Sequence, residues 1–282
     1  MSISVFDLFK VGVGPSSSHT VGPMVAAANF VEYLGQQALV NDVSRIQVDL
    51  YGSLSATGIG HGTDNSVIVG LMGERPHSID PEMILPVVAG LKESNSLNLA
   101  GSHPIEFIWD RDMNLLEENL SYHPNAMRLA AFGADDNLLY ENTYYSIGGG
   151  FVIDESEATA DAHLVPQVEL PYDFNNAVEL LELCEANNFS VSQLMMENEK
   201  VWRTEQEIRD GLMDIWAAMK ECIATGLHKE GILPGGLKVK RRAMSLHKSL
   251  IRSTKPNVIS STMGAMDWIN LYALAVNEEN AG

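Results

Sequence analysis

The sequence predicts an α/β (α+β) domain followed by a mostly α-helical domain. In the first half, alternating apolar segments typical of strands are interspersed with helical patterns, whereas helical patterns almost alone follow residue 173. Between the two lies "DESEATADAHLVPQVELPYD", an acidic stretch interrupted by two prolines, which is typical of a linker. We therefore predict a small α/β domain over residues 1–153, a linker over 154–173 and a helical domain over 174–282.

The elements of the first domain are predicted from periodicity, in chain order. The apolar run "VAAANFVEYLGQQAL" predicts a helix over about residues 19–39, and the alternation in "SRIQVDLYGS" predicts a strand from Ser44. A glycine-rich turn is expected next, around His61. Two helices and three strands then follow, in "TDNSVIVGLMG", "PEMILPVVAGLKES", "PIEFIWD", "AMRLAAFG" and "LLYENTYYSIGG".

Five helices are predicted for the second domain. A capping box formed by Thr204 and Glu207 marks the start of the longest of them, because the two side chains can satisfy each other's backbone amides. The five segments are "NNAVELLELCEANN", "SVSQLMMENEKVWR", "TEQEIRDGLMDIWAAMKECIATGLHKEG", "LKVKRRAMSLHKSLIR" and "MGAMDWINLYALAVNEEN".

Composition excludes several classes of function. The formal net charge of -19 disfavours binding to nucleic acid or to an anionic membrane, and no apolar run is long enough to span a bilayer. The first residues lack the basic region of a signal peptide, so we expect a cytoplasmic protein. Cys184 and Cys222 have no cysteine or histidine at metal-ligand spacing, which predicts buried thiols rather than a disulfide or a zinc site.

The stretch "GPSSSHTVGPM" places an unusual number of polar side chains at a helix start, where one capping residue would suffice. Backbone amides at a helix N-terminus bind anions, and added hydroxyls would supply further donors for a small carboxylate, with His19 beside it as acid or base. The alternative is an over-capped helix start. The hydroxyls in question belong to Ser16, Ser17, Ser18 and Thr20.

A second histidine lies in the glycine-rich stretch "YGSLSATGIGHGTDNSV". Glycines at 58, 60 and 62 allow a tight turn around His61, and Thr63 or Asp64 can cap the following helix. A histidine presented there is a candidate catalytic group or an ordinary turn residue. A phosphate site is a further alternative, although the fixed nucleotide-binding patterns are absent.

Three later segments have both functional and structural interpretations. "YHPNAM" and "YYSIGGGFV" combine polar groups with special backbone, which allows close approach of a ligand but equally forms a turn or a hinge. "ILPGGLKVKRRAM" is a basic island that could hold a carboxylate or form a solvated helix face. Its basic residues are Lys238, Lys240, Arg241 and Arg242.

Taken in order, these segments resemble one family. "FKVGVGPSSSHTVGPM", "YGSLSATGIGHGTDN", "HPNAM", "YYSIGGGFV", "LPGGLKVKRRA" and "WINLYALAVNEENAG" are similar to the bacterial single-chain L-serine dehydratases, or L-serine deaminases, of the iron–sulfur type. The resemblance extends to Gly282. It implies a small domain like the family's β domain, which is also similar to the allosteric serine-binding domain of some phosphoglycerate dehydrogenases, and then an incomplete catalytic domain.

The resemblance implies that L-serine is dehydrated to pyruvate and ammonia without pyridoxal phosphate, with help from a 4Fe-4S cluster. Such a β-elimination needs a Lewis acid for the hydroxyl and a base for the α-proton. His61 is our first choice for that base and His19 the second, with the "SSSHT" hydroxyls binding the carboxylate. The family match also suggests substrate or cluster-side contacts for Lys238, Arg242 and Asn280.

The family's cluster cysteines lie beyond the position that matches Gly282, so we expect the chain to be truncated before them, with no metal ligands of its own. A homodimer is expected from the family. The alternative function is a serine-binding regulatory module without catalysis, which needs no cluster.

Overall fold

The computed structural model describes residues 3–159, 168–233, 238–253 and 262–281. Two compact units are formed: one comprises Met1–Lys10 with Ala160–Glu221, and the other comprises Val11–Thr159 with Cys222–Gly282. Within the described ranges, no helix combines the length and the apolar character needed to cross a membrane.

The larger unit contains a seven-stranded mixed sheet. Its central strand pairs in parallel with two short strands on one side and antiparallel with a long strand on the other. The sheet order is β2-β3-β1-β5-β6-β7, with β4 also paired to β1. The strands are β1 (Arg45–Tyr51), β2 (Ser96–Leu99), β3 (His103–Glu106), β4 (Met113–Leu116), β5 (Asn125–Phe132), β6 (Leu138–Gly148) and β7 (Phe151–Asp154).

Helices pack against this sheet around one apolar core. Ile46, Val48 and Leu50 of β1 are buried there together with Phe30 and Leu34, as the alternation of the strand requires. Helix α1 (Val5–Leu8) belongs to the smaller unit. In the larger unit, the helices and turns before residue 160 are a π-helical turn (Ser17–Val21), α2 (Gly22–Gln36), a 3-10 turn (Val40–Asp42), α3 (Gly52–His61), α4 (Thr63–Leu71), α5 (Pro81–Ser94), α6 (Trp109–Asp112) and α7 (Glu155–Thr159).

The prediction of a turn across the glycine-rich stretch is wrong. Gly58 and Gly60 lie inside helix α3, and only Gly62, at φ +67°, has the left-handed conformation that turns the chain into α4. Gly62 is itself the N-cap of α4 and no side chain of the described residues caps that helix, so the predicted capping by Thr63 or Asp64 is also wrong. Burial of Leu54 and Gly58 against the rest of the unit outweighs the low helix propensity of glycine.

Other elements of the first half differ in detail. The helix predicted over residues 19–39 is α2, entered through the π-helical turn, and the strands predicted at β1, β5 and β6 are confirmed. In "PIEFIWD" the strand ends at Glu106 and a helical turn begins at Trp109. The three glycines 148–150 all have positive φ and form the tight turn between β6 and β7. Helix α7 lies in the segment predicted as a linker, and its Glu155 accepts a 2.5 Å hydrogen bond from the Tyr145 hydroxyl.

The five helices predicted after residue 173 are confirmed. The capping box of Thr204 and Glu207 is also present, with backbone-to-side-chain hydrogen bonds of 2.8 and 3.3 Å. The helices are α8 (Ala177–Asn187), α9 (Val191–Glu199), α10 (Glu205–Gly226), α11 (Ala243–Ser253) and α12 (Thr262–Asn280).

A buried carboxylate on helix α12 binds the start of helix α11. Glu278 accepts hydrogen bonds from the backbone amides of Arg242, at 2.7 Å, and Ala243, at 3.2 Å. These amides begin a helix and have no partner within it, so the carboxylate satisfies them and complements the helix dipole. Arg241 is buried beside this contact and forms an ion pair with Glu279.

Candidate active site

The π-helical turn brings several polar groups of "SSSHT" together. The Ser16 hydroxyl accepts from the His19 amide at 3.2 Å and lies 3.3 Å from the Ser18 hydroxyl. The Ser18 hydroxyl in turn lies 2.9 Å from Nδ1 of the His19 ring. Ser16 is therefore the N-cap of this turn. Thr20 is buried, and Ser17 is exposed to solvent.

Helix α3 presents a second row of polar groups, spaced four residues apart on one helix face. The Ser53 hydroxyl lies 2.9 Å from Nε2 of His19. One turn later, the Thr57 hydroxyl donates to the Ser53 carbonyl at 2.9 Å, and the Thr57 carbonyl lies 2.9 Å from Nδ1 of His61. Because residues at i and i+4 lie above one another on a helix, Ser53, Thr57 and His61 share that face.

The contact with Thr57 determines the tautomer of His61. A carbonyl oxygen only accepts hydrogen bonds, so Nδ1 of His61 must be the nitrogen that carries hydrogen when it bonds there. In the neutral ring, Nε2 then has the free lone pair. His61 is half-buried, with Nε2 in the position of a potential proton acceptor.

The two histidine rings lie side by side, with their centroids 5.0 Å apart. Their backbones are tied by reciprocal hydrogen bonds: the Thr20 hydroxyl donates to the His61 carbonyl at 2.9 Å, and the Thr63 hydroxyl donates to the His19 carbonyl. Burial, followed by the proximity of His61, lowers the pKa of His19 below its ordinary value of 6.5. Both effects disfavour the charged form of His19, while a hydrogen bond with the Ser53 backbone acts in the opposite direction.

Near these elements, two buried side-chain oxygen atoms have no hydrogen-bond partner among the described residues. One is Oδ1 of Asp64, at the start of α4, and the other is the hydroxyl of Ser146, on β6. Burial raises the pKa of the Asp64 carboxyl above its ordinary value. The Ser146 hydroxyl lies against the backbone of Gly22, where any side chain would collide with it.

The predicted site residues divide into two groups. Ser16, Ser18, Thr20 and the two histidines are brought together as described. Lys238, Arg242 and Asn280 belong to the segment that contains α11 and α12, and all three are exposed. No hydrogen bond of the described residues joins their side chains to the histidine pair.

The sequence analysis did not identify Ser53, and it named Thr63 only as a helix cap. The signal for Ser53 was its spacing of eight residues from His61, which places both on one face only if the stretch is helical. Three glycines in ten residues disfavour a helix there, so the sequence alone does not place Ser53 and His61 on one face.

The residues of this chain do not fit an iron–sulfur cluster. Such clusters are held by several cysteine thiolates, and the sequence contains two cysteines. Cys184 is buried in α8, while Cys222 lies on α10 with its Sγ 3.9 Å from the Val276 carbonyl. Over the described part of the chain, no group of three or more potential ligands could hold a metal ion.

Comparisons with known proteins agree with this architecture. The sequence profile of the serine dehydratase beta chain matches residues 4–157, and that of the serine dehydratase alpha chain matches residues 186–282. The first match covers the mixed sheet and both histidines, and the second covers most of the helical region.

Curated relatives show the same relationship along the whole sequence. The chain is 48% identical over 282 residues to an L-serine dehydratase of Streptomyces coelicolor, covering 100% of this chain and 61% of that protein. It is 45% identical over 280 residues to L-serine dehydratase 1 of Escherichia coli, covering 99% of this chain and 61% of the relative. An L-serine dehydratase of Helicobacter pylori is 38% identical over 281 residues, with 99% and 60% covered.

The chain thus spans about three fifths of the length of these relatives. The beta-chain profile alone extends over more than half of the sequence, and the paired histidines lie within the matched region. On this match, the chain belongs to the serine dehydratase family.

Proposed function

We propose that this chain supplies the substrate-binding and proton-abstracting part of an L-serine dehydratase, which converts L-serine to pyruvate and ammonia. The observation that supports this most directly is the tautomer of His61, whose Nδ1–H bonds the Thr57 carbonyl and leaves Nε2 available as a base. The names of the relatives supply the substrate.

In this proposal, the serine carboxylate binds at the π-helical turn. The turn spans Ser17–Val21 with Ser16 as its N-cap, so Ser16, Ser17, Ser18 and Thr20 all belong to it, and backbone amides at a helix start favour an anion. Exposure of Ser17 and the half-burial of Ser16 and Ser18 leave this side open to a small ligand. Lys238, Arg242 and Asn280 stay predictions of further contacts, supported by the family resemblance alone.

Bound in this way, serine would present its α-proton to Nε2 of His61. Removal of that proton and departure of the β-hydroxyl, which leaves as water after taking up a proton, break the Cα–H and Cβ–O bonds and form aminoacrylate. Aminoacrylate tautomerises to an imine, and water hydrolyses the imine to pyruvate and ammonia. His19 is the second candidate for the base, but its two ring nitrogens both face serine hydroxyls.

The resemblance implies an iron–sulfur cluster, and not pyridoxal phosphate, as the cofactor of the whole enzyme. When bound, such a cluster supplies a Lewis acid for the leaving hydroxyl. With two cysteines in 282 residues, we propose that the thiolate ligands come from sequence outside this chain. The steps derived above concern the chain's own residues only.

Serine binding and turnover test the proposal in two stages. Calorimetry should detect L-serine binding to the chain. When the chain is expressed together with the part of a relative that it does not span and is reconstituted anaerobically with iron and sulfide, pyruvate should form. Replacement of the base, as His61→Asn, should reduce pyruvate formation by about 100-fold or more, the usual contribution of a general base, while serine still binds.

The second candidate function is a serine-binding regulatory module, and the absence of three-ligand groups from the described residues favours it. It predicts serine binding without pyruvate in the complemented, reconstituted sample. Turnover that is lost in His61→Asn would rule it out.

We further propose a cytoplasmic homodimer that does not bind nucleic acid or membranes. The net charge of -19 repels polyanions and supports the absence of nucleic-acid and membrane binding. The family resemblance supports the cytoplasmic homodimer. Sedimentation velocity of the purified chain tests the dimer, which a monomer at all concentrations would contradict.

A further inference from the structure

Ser53 forms a contact that neither the family match nor the proposed chemistry assigns. Its hydroxyl lies 2.9 Å from Nε2 of His19, while the Ser18 hydroxyl lies 2.9 Å from Nδ1 of the same ring. Both nitrogens of His19 therefore face a serine hydroxyl. Because a hydroxyl can donate or accept, both nitrogens can be satisfied while the ring carries one proton and no charge.

This arrangement differs from that of a histidine held by a carboxylate. A carboxylate would favour the imidazolium form of the ring, since opposite charges attract. Two hydroxyls give no such preference. Burial of His19 disfavours the charged ring, and this effect is larger than the opposing effect of the Ser53 backbone. A neutral ring at 5.0 Å does not repel the positive charge that His61 acquires when it takes a proton.

The start of α3 is held in place by the loop between β4 and β5, residues 117–124, which leads into the "HPN" motif and is called the "HPN" loop below. The amide of Ser53 donates to the Pro124 carbonyl at 2.9 Å, and the amide of Gly52 donates to the Glu118 carbonyl at 2.9 Å. Gly52 has φ +53°, and a Cβ there would lie 2.5 Å from the Pro124 carbonyl oxygen. The loop thus fixes the backbone of Ser53 by contacts that only glycine permits beside it.

We propose that Ser53 is a positioning residue, whose hydroxyl holds the neutral ring of His19 against His61. The inference rests on the proposed function in that His61 is the base which this arrangement serves. It adds a role for the "HPN" loop, which acts through its hydrogen bond to the Ser53 backbone.

The test measures the ring nitrogens directly, so that it does not depend on turnover. The chain is labelled with 15N at histidine, and the ring nitrogen resonances are assigned by the His19→Asn and His61→Asn variants. Three substitutions are then compared: Ser53→Ala removes the hydroxyl, Ser53→Thr retains it, and Ser55→Ala makes the same chemical change elsewhere on α3. The Ser55 side chain has no hydrogen bond among the described residues, which makes it a matched control.

We expect the Nε2 resonance of His19 to shift in Ser53→Ala and to return to the wild-type position in Ser53→Thr. Ser55→Ala should leave it unchanged, and thermal melting should show that all three variants are folded. Unchanged His19 resonances in Ser53→Ala, or equal shifts in Ser53→Ala and Ser55→Ala, would overturn the proposal.

Serine titration of the same samples separates this proposal from the proposed function. If serine binds none of the variants, nor the wild type, the proposed function fails while the ring resonances still decide the role of Ser53. If it binds, we expect the serine-induced shift of the His61 resonances to be reduced in Ser53→Ala and restored in Ser53→Thr. An undiminished shift in Ser53→Ala would contradict the coupling of Ser53 to His61 through His19.

Discussion

His19 and His61 have the same side chain but different hydrogen-bond partners. A backbone carbonyl fixes the hydrogen of His61 on Nδ1, whereas two hydroxyls leave the tautomer of His19 open. Sequence reasoning ranked the two as alternative bases, and it could not do better because the deciding partners are a main-chain oxygen and a serine 34 residues away. Hydrogen-bond partners of this kind are determined by the fold.

We expect acid to destabilise the folded chain by protonating the single residue His19. Its pKa is lowered in the folded chain, first by burial and then by His61, so the unfolded chain binds the proton more readily. The stability contributed by neutral His19 is complete above pH 6.5 and is lost as the pH falls from there through its folded pKa. Urea denaturation between about pH 5 and 8 should show a shallower pH dependence for His19→Asn than for wild type.

The exposed His77 provides the control for this measurement. His77→Asn makes the same substitution at a position without the burial and serves as the matched control. If His19→Asn and wild type lose stability in parallel below pH 6.5, the neutral state of His19 makes no contribution to folding.

Helix α3 carries Ser53, whose hydroxyl contacts His19 of the π-helical turn. The glycines of this helix are of two kinds. Gly52 has a positive φ and abuts the Pro124 carbonyl, whereas Gly60 has open space where a side chain would project. The same substitution should therefore have opposite effects at the two ends of one helix.

We expect Gly52→Ala to lower the free energy of unfolding by about 2–4 kcal/mol, the sum of a left-handed backbone penalty and a steric clash. Gly60→Ala should raise it by about 0.4–1 kcal/mol, because alanine has the higher helix propensity and restricts the unfolded chain. Urea denaturation of both variants checks the pair. A destabilised Gly60→Ala would show that α3 is not helical there.

Periodicity predicted most elements of the fold, and the failures have physical causes. The strong patterns of α2, β1 and β5 and the five helices after residue 173 were predicted, whereas β2, β4 and β7, with four residues each, are too short to show an alternation. Helix α3 was missed because packing of Leu54 and Gly58 overrides its composition.

Only part of the candidate site was predicted from the sequence. Its histidines and the "SSSHT" hydroxyls are visible as unusual residue types, and the structure brings Ser16, Ser18 and Thr20 together with both rings. Ser53 and Thr63 are ordinary residues whose roles come from contacts between distant segments, which sequence spacing alone does not reveal.

At the scale of the whole molecule, the distribution of thiols limits the chemistry of the chain on its own. Two cysteines are fewer than a four-iron cluster requires. We expect anaerobic reconstitution of the isolated chain with iron and sulfide to leave no cluster absorption in the visible spectrum after desalting. The double variant Cys184→Ala/Cys222→Ala should give the same spectrum as the wild type. A stable cluster whose absorption vanishes in the double variant would contradict this expectation.

Ser53, Thr57 and His61 lie on one face of α3, and this spacing also determines which changes of chain length the helix tolerates. Each residue of an α-helix rotates the chain by about 100°, so inserting or deleting one residue between Ser53 and His61 would turn the His61 ring away from His19. Substitutions at exposed positions within the interval, such as Ala56 and Ile59, leave that angle unchanged. Relatives that retain both histidines should therefore vary in residue type between these two positions but not in their number.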